Sequence, residues 1–410
     1  MKMSLGSTHK KKGRATALIL ALSAALTLSA IPVCAGEEEE GLPSSASLME
    51  AIAREAGTKP EELLASDYLV PGDSVSDWIA AECGMMGLGD PSAYLTRAQS
   101  YVEDQYAQKG CLDPVKVTST ERMALTVLSL GGDPSAFGKK EDGSAIDLLS
   151  DGTWNWSGTD SLGTQGINGW IYALVALDAG GAEVPEGALF TREDMITALL
   201  DNETDGAFGL VKGEKDVDLT AMALQALAPY REDKTVYTLS DGSETTVPEA
   251  IEAALSYLSG VQLASGDFMS YETANAESTA QVLMALTDLG IDPKTDDRFI
   301  KEATIPEALS AYENDNGLIS HTIGDGGDVM ATEQTLLAVL KTEGKRIGQT
   351  GYTAAASDQK DSGEASASDA SSGQTAEQTS SAFPVLPVVL IIAAGVIIAA
   401  TVLLFRKKKA

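Results

Sequence analysis

The chain has 410 residues, with 60 acidic and 29 basic side chains and a formal net charge of -31 at pH 7. Nine basic residues lie in its two ends, so the segment between them holds 20 basic against 60 acidic residues, a net charge of -40. Such a surface repels phosphate backbones, which excludes nucleic acid as a partner.

The first 35 residues have the pattern of a signal peptide. Basic residues up to Arg14 precede an uncharged run rich in Ala and Leu, and Ala35 precedes Gly36 at a plausible cleavage site. These are the three regions that direct export. We therefore expect residues 1–35 to be removed and the acidic residues 36–45 to form a leader before the folded domain.

Six Ala-rich segments recur with a period of about fifty residues, which is typical of a helical repeat protein. Each opens on a polar residue and then carries apolar residues on nearly every side, as buried helices do. They span 77–86, 119–128, 168–177, 218–227, 277–286 and 331–340. We predict that these segments are six inner helices.

Amphipathic segments with more charge lie between the apolar ones and predict an outer layer of six helices. They span 48–56, 93–106, 146–149, 192–200, 248–258 and 306–312. Several end in a polar turn, a glycine and then an aromatic residue or Leu, which is a helix-terminating pattern. One stretch alternates polar and β-branched residues around Asp241-Gly242, which predicts a surface β-hairpin over 235–247.

The C-terminal part of the chain has the composition of a tethered stalk. Residues 347–382 are mostly small and polar, and from 353 onwards contain no Leu, Ile or Val, so we expect a disordered stalk. The apolar stretch 383–405 matches the roughly 20 residues that span a bilayer, and the basic tail 406–410 follows it. We predict a single-pass cell-membrane protein with its folded part outside and its C-terminus in the cytoplasm.

Two cysteines remain after removal of the signal peptide, Cys83 and Cys111. In an extracellular compartment they are candidates for a disulfide, although their spacing does not determine the distance between them.

The alternating helices, the Gly-aromatic turns and the run Asp216-x-Asp218-x-Thr220-Ala resemble the α/α toroid of terpenoid cyclases and protein prenyltransferases, with their prenyltransferase and squalene oxidase repeat. The resemblance covers about 46–346. It implies an all-α fold, a single (α/α)6 toroid of six helical hairpins, apart from the β-hairpin. The superfamily also includes cobalamin carriers and thioester domains, so this fold does not fix a function.

The residues that carry chemistry in those families are incomplete in this sequence. Leu219 stands where class II cyclases have the last acid of Asp-x-Asp-Asp. His321 is the single histidine after the signal peptide, too few for the zinc site of a prenyltransferase. Cys83 is followed by Gly-Met-Met rather than the Gly-Glu-Gln of a thioester domain. Cobalamin carriers add a small β domain where this chain has its stalk. We expect no metal and no other cofactor.

The inner helices of such a ring all begin at one end, where their free N–H groups and dipoles converge to form the predicted pocket. The ligand-binding candidates there are Asp77, Trp78, Glu121, Asn168, Trp170, Asp218, Thr220, Glu277 and Glu333. The catalytic candidates are Asp216, Asp218, Glu121 and Glu333. A structural interpretation stays open, in which Ser119, Asn168 and Asp218 are N-caps and the tryptophans are core residues.

The leading interpretation is a surface binding or adhesion module for an extracellular small molecule or glycan. The alternative is a toroid-class enzyme, either terpene cyclase-like or carbohydrate-active, that uses the acidic residues of the mouth. Glycoside hydrolysis needs two carboxyl groups about 5 to 10 Å apart, which the mouth could supply. A third interpretation is a structural spacer with a solidly filled barrel.

Overall fold

The computed structural model describes residues 41–352. The predicted signal peptide, half of the acidic leader, most of the stalk, the predicted membrane span 383–405 and the tail lie outside these residues. Between residues 41 and 352 no helix combines the length and the apolar character that crossing a bilayer requires.

The described residues form twelve α-helices. They are α1 Ser45–Glu55, α2 Ser74–Met86, α3 Pro91–Lys109, α4 Val117–Ser129, α5 Leu148–Gly152, α6 Asn168–Gly180, α7 Arg192–Asn202, α8 Val217–Leu227, α9 Val247–Val261, α10 Ala276–Leu289, α11 Ile305–Ser310 and α12 Val329–Thr342. Short 3-10 turns lie at Pro60–Ala65, Pro134–Ala136, Leu162–Gln165 and Ala228–Tyr230.

The even-numbered helices form a closed inner layer. Each packs against the next in chain order, and α12 returns to pack against α2. The odd-numbered helices lie outside: α5 packs on α4 and α6, α7 on α6, α9 on α8, α11 on α10 and α1 on α12, while α3 packs on the turn Pro60–Ala65. This arrangement confirms the predicted helical toroid.

Two small β-hairpins interrupt the helices. The strands β1 Tyr237–Thr238 and β2 Glu244–Thr245 pair antiparallel, as predicted around Asp241-Gly242. The strands β3 Phe268–Ser270 and β4 Thr273–Asn275 form a hairpin that the sequence did not reveal. Its turn residues Tyr271 and Glu272 have φ angles of 48° and 65°, a left-handed conformation usually taken by Asn-Gly.

A threonine hydroxyl joins each of the last three Gly-aromatic or Gly-Leu turns to the following inner helix. The threonine lies four residues after the N-cap, accepts a hydrogen bond from a backbone N–H of the turn and donates one to the N-cap carbonyl. The N–H to Oγ1 distances are 2.9 Å for Phe208 to Thr220, 3.1 Å for Phe268 to Thr279 and 2.9 Å for Ile319 to Thr332. The hydroxyl of Thr220 is therefore used by the fold and is not available to a ligand, which corrects its place among the binding candidates.

The first and last described segments both pack against the ring. Ser45 Oγ donates to Glu343 Oε2 at 2.9 Å, which ties α1 to the end of α12. After α12 the chain crosses the C-terminal ends of inner helices: Gly348 N donates to Ser129 Oγ at 2.9 Å, and Gly351 N donates to Gly84 O at 2.8 Å. The folded domain thus extends to residue 352, beyond the predicted boundary at 346.

The two cysteines are free thiols, which corrects the predicted disulfide. Cys83 is buried in α2, with its Sγ 3.9 Å from Met49 Sδ of α1. Cys111 follows the outer helix α3 and contacts the carbonyl of Lys109. Each thiol has its own separate surroundings, and burial raises the pKa of the Cys83 thiol.

Gly84 sets the distance between α2 and α4. A Cβ at Gly84 would lie 2.3 Å from the carbonyl oxygen of Ser129. We expect Gly84→Ala to lower the free energy of unfolding by about 1 to 3 kcal/mol, because overpacking forces backbone to move.

Gly260 in α9 is the matched control, since a Cβ added there would meet no atom within 4 Å. Gly260→Ala should leave stability unchanged or raise it by about 0.5 to 1 kcal/mol, the helix penalty of glycine. Urea denaturation of both variants tests this, and equal effects would contradict the proposed helix contact.

Candidate functional site

Several inner helices show a stripe of partly accessible residues. In α8 the stripe is Asp218, Met222 and Gln225, and in α12 it includes Gln334 and Leu337. Positions i, i+4 and i+7 lie on one face of a helix. Because the outer helices and the ring neighbours cover the other faces, these stripes line the space that the ring encloses. That space is the candidate site.

The wall formed by α2, α4 and α6 combines aromatic rings with buried acids. The rings of Trp78 and Tyr172 have centroids 5.8 Å apart, with α4 lying between their helices in the ring order. Glu82 follows Trp78 by one turn, and Glu121 lies in α4. Both carboxyl groups are fully buried, and neither has a hydrogen-bond partner among the described residues. We call Trp78, Glu82, Glu121 and Tyr172 the acid-aromatic wall.

Burial keeps the interior acids protonated. It raises the pKa of Glu82 and of Glu121 well above the ordinary value, and the charge of Glu333 raises that of Glu82 further. Burial, with Glu277 contributing, raises the pKa of Glu333 to about 8. A neutral carboxyl group both donates and accepts a hydrogen bond, so these acids can contact an uncharged polar ligand from either side.

The rim of the site, where the inner helices begin, carries a second set of acids. His321 Nδ1 lies 2.9 Å from Glu277 Oε2, and its backbone carbonyl accepts a hydrogen bond from Ala276 N at 3.1 Å. Burial, together with the charge of Asp216, raises the pKa of Asp218 to about 7. The rim therefore holds the hydrogen-bonded pair of Glu277 and His321 and one carboxyl group, that of Asp218, whose pKa is raised to about 7.

Asp77 belongs to the fold rather than to the site, which corrects its place among the ligand-binding candidates. It is fully buried and accepts hydrogen bonds from Arg122 Nε at 2.9 Å, Tyr94 Oη at 2.8 Å and Gly72 N at 3.0 Å. No oxygen of this carboxylate is left for a ligand.

Trp170 is also used in packing. Its ring lies edge-on to Phe190, with centroids 5.5 Å apart. Tyr172 follows two residues later, about 200° around the helix, and faces the interior instead. The aromatic residue of α6 in the site is therefore Tyr172 and not Trp170.

The structure also corrects the interpretation of Asn168 and Asp218 as N-caps. Asp216 caps α8, with its carboxylate accepting from Leu219 N at 2.9 Å, so Asp218 lies inside the first turn. Asn168 is the first residue of α6, and its buried Oδ1 has no partner among the described residues. Asn168, Asp218 and Trp78 are partly accessible to a ligand, whereas Glu121 and Glu333 are buried and Glu277 is paired with His321.

Glu82 and Tyr172 were missed by the sequence prediction. Glu82 had a recognisable signal, since it is a lone charge in the middle of the apolar run 77–86, one turn after Trp78. An isolated acid in a helix that is buried all round needs an explanation. Tyr172 had no comparable signal, because a helix that is apolar on every side does not show which side faces the interior.

No family model matches the chain, and no curated protein matches it. Solved structures similar to it include Candida albicans protein geranylgeranyltransferase-I complexed with GGPP, at 12% identity and a TM-score of 0.46, over 75% of this chain and 93% of that one. Another is unsaturated glucuronyl hydrolase from Bacillus sp. GL1, at 12% identity and a TM-score of 0.45, over 75% and 98%. Similarity at this level concerns helical arrangement and says nothing of chemistry. Within residues 41–352 no three His, Cys, Asp or Glu side chains are grouped as metal ligands.

The Asp77–Arg122 pair predicts a large effect on stability. We expect Asp77→Asn to lower the free energy of unfolding by about 3 to 5 kcal/mol, because it leaves a mostly buried guanidinium without its counter-charge. Asp205→Asn, which removes an exposed partner of Lys215, should cost less than about 1 kcal/mol. Denaturant unfolding of the two variants measures the difference, and a comparable loss in both would refute a structural role for Asp77.

Asp218 predicts an unusual dependence of stability on pH. Its unfolded pKa is about 3.9, and its folded pKa is about 7. Between these values the folded state holds a proton that the unfolded state lacks, so the free energy of unfolding falls as the pH rises. In a variant that lacks this group, the free energy of unfolding should therefore fall less between pH 4 and pH 7 than in the wild type, by on the order of 3 kcal/mol.

Asp218→Asn and Asp160→Asn, the latter at an exposed position, should be compared by urea unfolding at pH 5 and pH 8. The Asp218 variant should lose less stability than the wild type between the two pH values, whereas the Asp160 variant should follow the wild type. An Asp218 variant with the wild-type slope would show that this carboxyl group ionises normally.

Proposed function

We propose that the ring interior binds a small extracellular molecule or a sugar unit of a glycan, and that the protein displays this site at the cell surface. The observation that carries the proposal is the pair of buried carboxyl groups, Glu82 and Glu121, without hydrogen-bond partners among the described residues. An unsatisfied buried polar group costs about 1 to 3 kcal/mol, so its presence calls for an explanation. Their oxygens each expose less than 1 Å², so a bound ligand supplies one by displacing the side chains that cover these groups and pairing with them.

The accessible surface of the acid-aromatic wall supports the same proposal. Tyr172 and Trp78 remain partly accessible although they lie among buried residues. Aromatic faces beside a few polar groups are the usual lining of a small-molecule site. A solidly packed spacer would have covered these rings.

Display at the surface rests on the sequence pattern of the two ends. The last described residues cross the ring at the C-terminal ends of α2 and α4, opposite the rim where the inner helices begin.

Binding is tested by calorimetric titration of the full-length protein with isoprenoids, cobamides and neutral oligosaccharides. We expect Glu121→Met to weaken binding of the active compound by about tenfold or more, because the thioether side chain has no hydrogen-bond donor and hydrogen bonds to buried groups contribute about 1 to 3 kcal/mol. The substitution keeps the group neutral and nearly the same size, so the fold should persist.

Glu186→Met is the matched control, since Glu186 is exposed and its side chain has no hydrogen-bond partner within the described part of the chain. It should bind as the wild type does. If no compound binds, or if both variants bind equally well, the interior is not the site.

Hydrolysis of a glycan is a second candidate, favoured by Asp218. A carboxyl group with a pKa of about 7 beside the acids Asp216 and Glu277 has the protonation state of a general acid next to groups that can act as bases. Hydrolysis predicts that new reducing ends form during the oligosaccharide titration of the wild type and do not form with Asp218→Asn. That result would show that the site cleaves the glycan rather than only binding it.

A further inference from the structure

The wall opposite the acid-aromatic wall carries a row of three glutamine amides, one on each of α8, α10 and α12. Gln225 Nε2 donates to Gln281 Oε1 at 2.9 Å, and Gln281 Nε2 donates to Gln334 Oε1 at 3.2 Å. All three residues remain partly accessible. They belong to the stripes that face the interior, and we call them the amide row.

Lys341 fixes the direction of the amide row. Its ammonium group donates to Gln225 Oε1 at 2.7 Å and to Asp288 Oδ2 at 2.6 Å. An ammonium group can only donate, so the oxygen of Gln225 must face it and the amide nitrogen must point along the row. Each later amide is oriented in the same sense, and the row ends on Gln334 Nε2.

The end of the row is an open donor. Gln334 Nε2 has no hydrogen-bond partner among residues 41–352, and it is absent from the buried polar atoms that lack partners. It is thus accessible from the interior. An oriented amide N–H at a fixed place selects a ligand oxygen that accepts a hydrogen bond.

The cations of the inner helices are already neutralised. Their sequences contain only Arg122 and Lys341 as basic residues. Arg122 pairs with Asp77 at 2.9 Å and Lys341 with Asp288 at 2.6 Å. No inner-helix cation is left for a phosphate or carboxylate, and burying an unpaired anion in the interior is costly.

From these contacts we infer that the ligand of the proposed site is an uncharged, hydroxyl-rich molecule of the sugar type, and that Gln334 determines this specificity by donating to a ligand oxygen. The inference rests on the proposed function. The ligand lies between the amide row and the acid-aromatic wall, where a sugar ring can stack on Trp78 or Tyr172 and bond the facing amide and carboxyl groups.

Calorimetry of the full-length protein with matched probes tests the inference. The probes are glucose, galactose and N-acetylglucosamine as neutral sugars, and glucuronate and glucose 6-phosphate as charged counterparts. The wild type should bind at least one neutral sugar at least about tenfold more tightly than either charged probe. Gln334→Met and Gln334→Leu, which both remove the amide donor and keep a side chain of similar size, should each weaken that binding by about tenfold.

Gln165→Met is the control, because Gln165 is exposed and its side chain has no hydrogen-bond partner among residues 41–352; it should leave affinity unchanged. Thermal unfolding of each variant separates loss of the fold from loss of the contact. Tighter binding of a charged probe, or unchanged binding in both Gln334 variants, overturns the inference and leaves the proposed function standing. If an isoprenoid or a cobamide binds and no sugar does, the inference of a sugar-type ligand is wrong but the proposed binding function stands. If no compound binds, both are wrong.

Discussion

The close approach of small residues between neighbouring inner helices is the contact on which the rest of the structure depends. Gly84 allows α2 to lie against the last turn of α4, where any side chain would meet the Ser129 carbonyl. The last inner helix, α12, packs in turn against α2. Alanine-rich helices can come this close because they carry little volume on the contact faces. Closure of the ring follows, and with it an interior that is separate from the outer surface.

Closure also creates the main electrostatic cost of the molecule. An ionised carboxyl group without a partner is strongly disfavoured in an apolar interior, so Glu82 and Glu121 remain protonated. Protonation reduces the cost but leaves their hydrogen-bonding groups unsatisfied. Leucine or methionine at these positions would serve stability better. Polar groups that break the rule of a satisfied core are expected at functional sites, where binding offsets their cost.

The sequence was informative about which segments are helical and uninformative about which face of each helix points to the interior. Six segments that are apolar all round predicted six buried helices, and Asp241-Gly242 predicted the β1–β2 hairpin. The same all-round character removed the periodicity that would show which face points inward, so Trp170 was predicted for the site and Tyr172 was not. Asp77 appeared free because its partner Arg122 is 45 residues away in the chain. The β3–β4 turn lacks the glycine that would have identified it.

The charges of the molecule disfavour an anionic ligand at three distances from the site. The segment between the basic ends has a net charge of -40, which repels anions before contact. At the rim, Glu277 faces His321, and Asp218 gains negative charge above pH 7. In the interior both inner-helix cations already have carboxylate partners. An anionic ligand would meet an unfavourable field at each step, whereas an uncharged polar ligand meets none and can use the neutral acids and amides alike. Long-range repulsion and local pairing therefore exclude the same class of compound, although they arise from different residues.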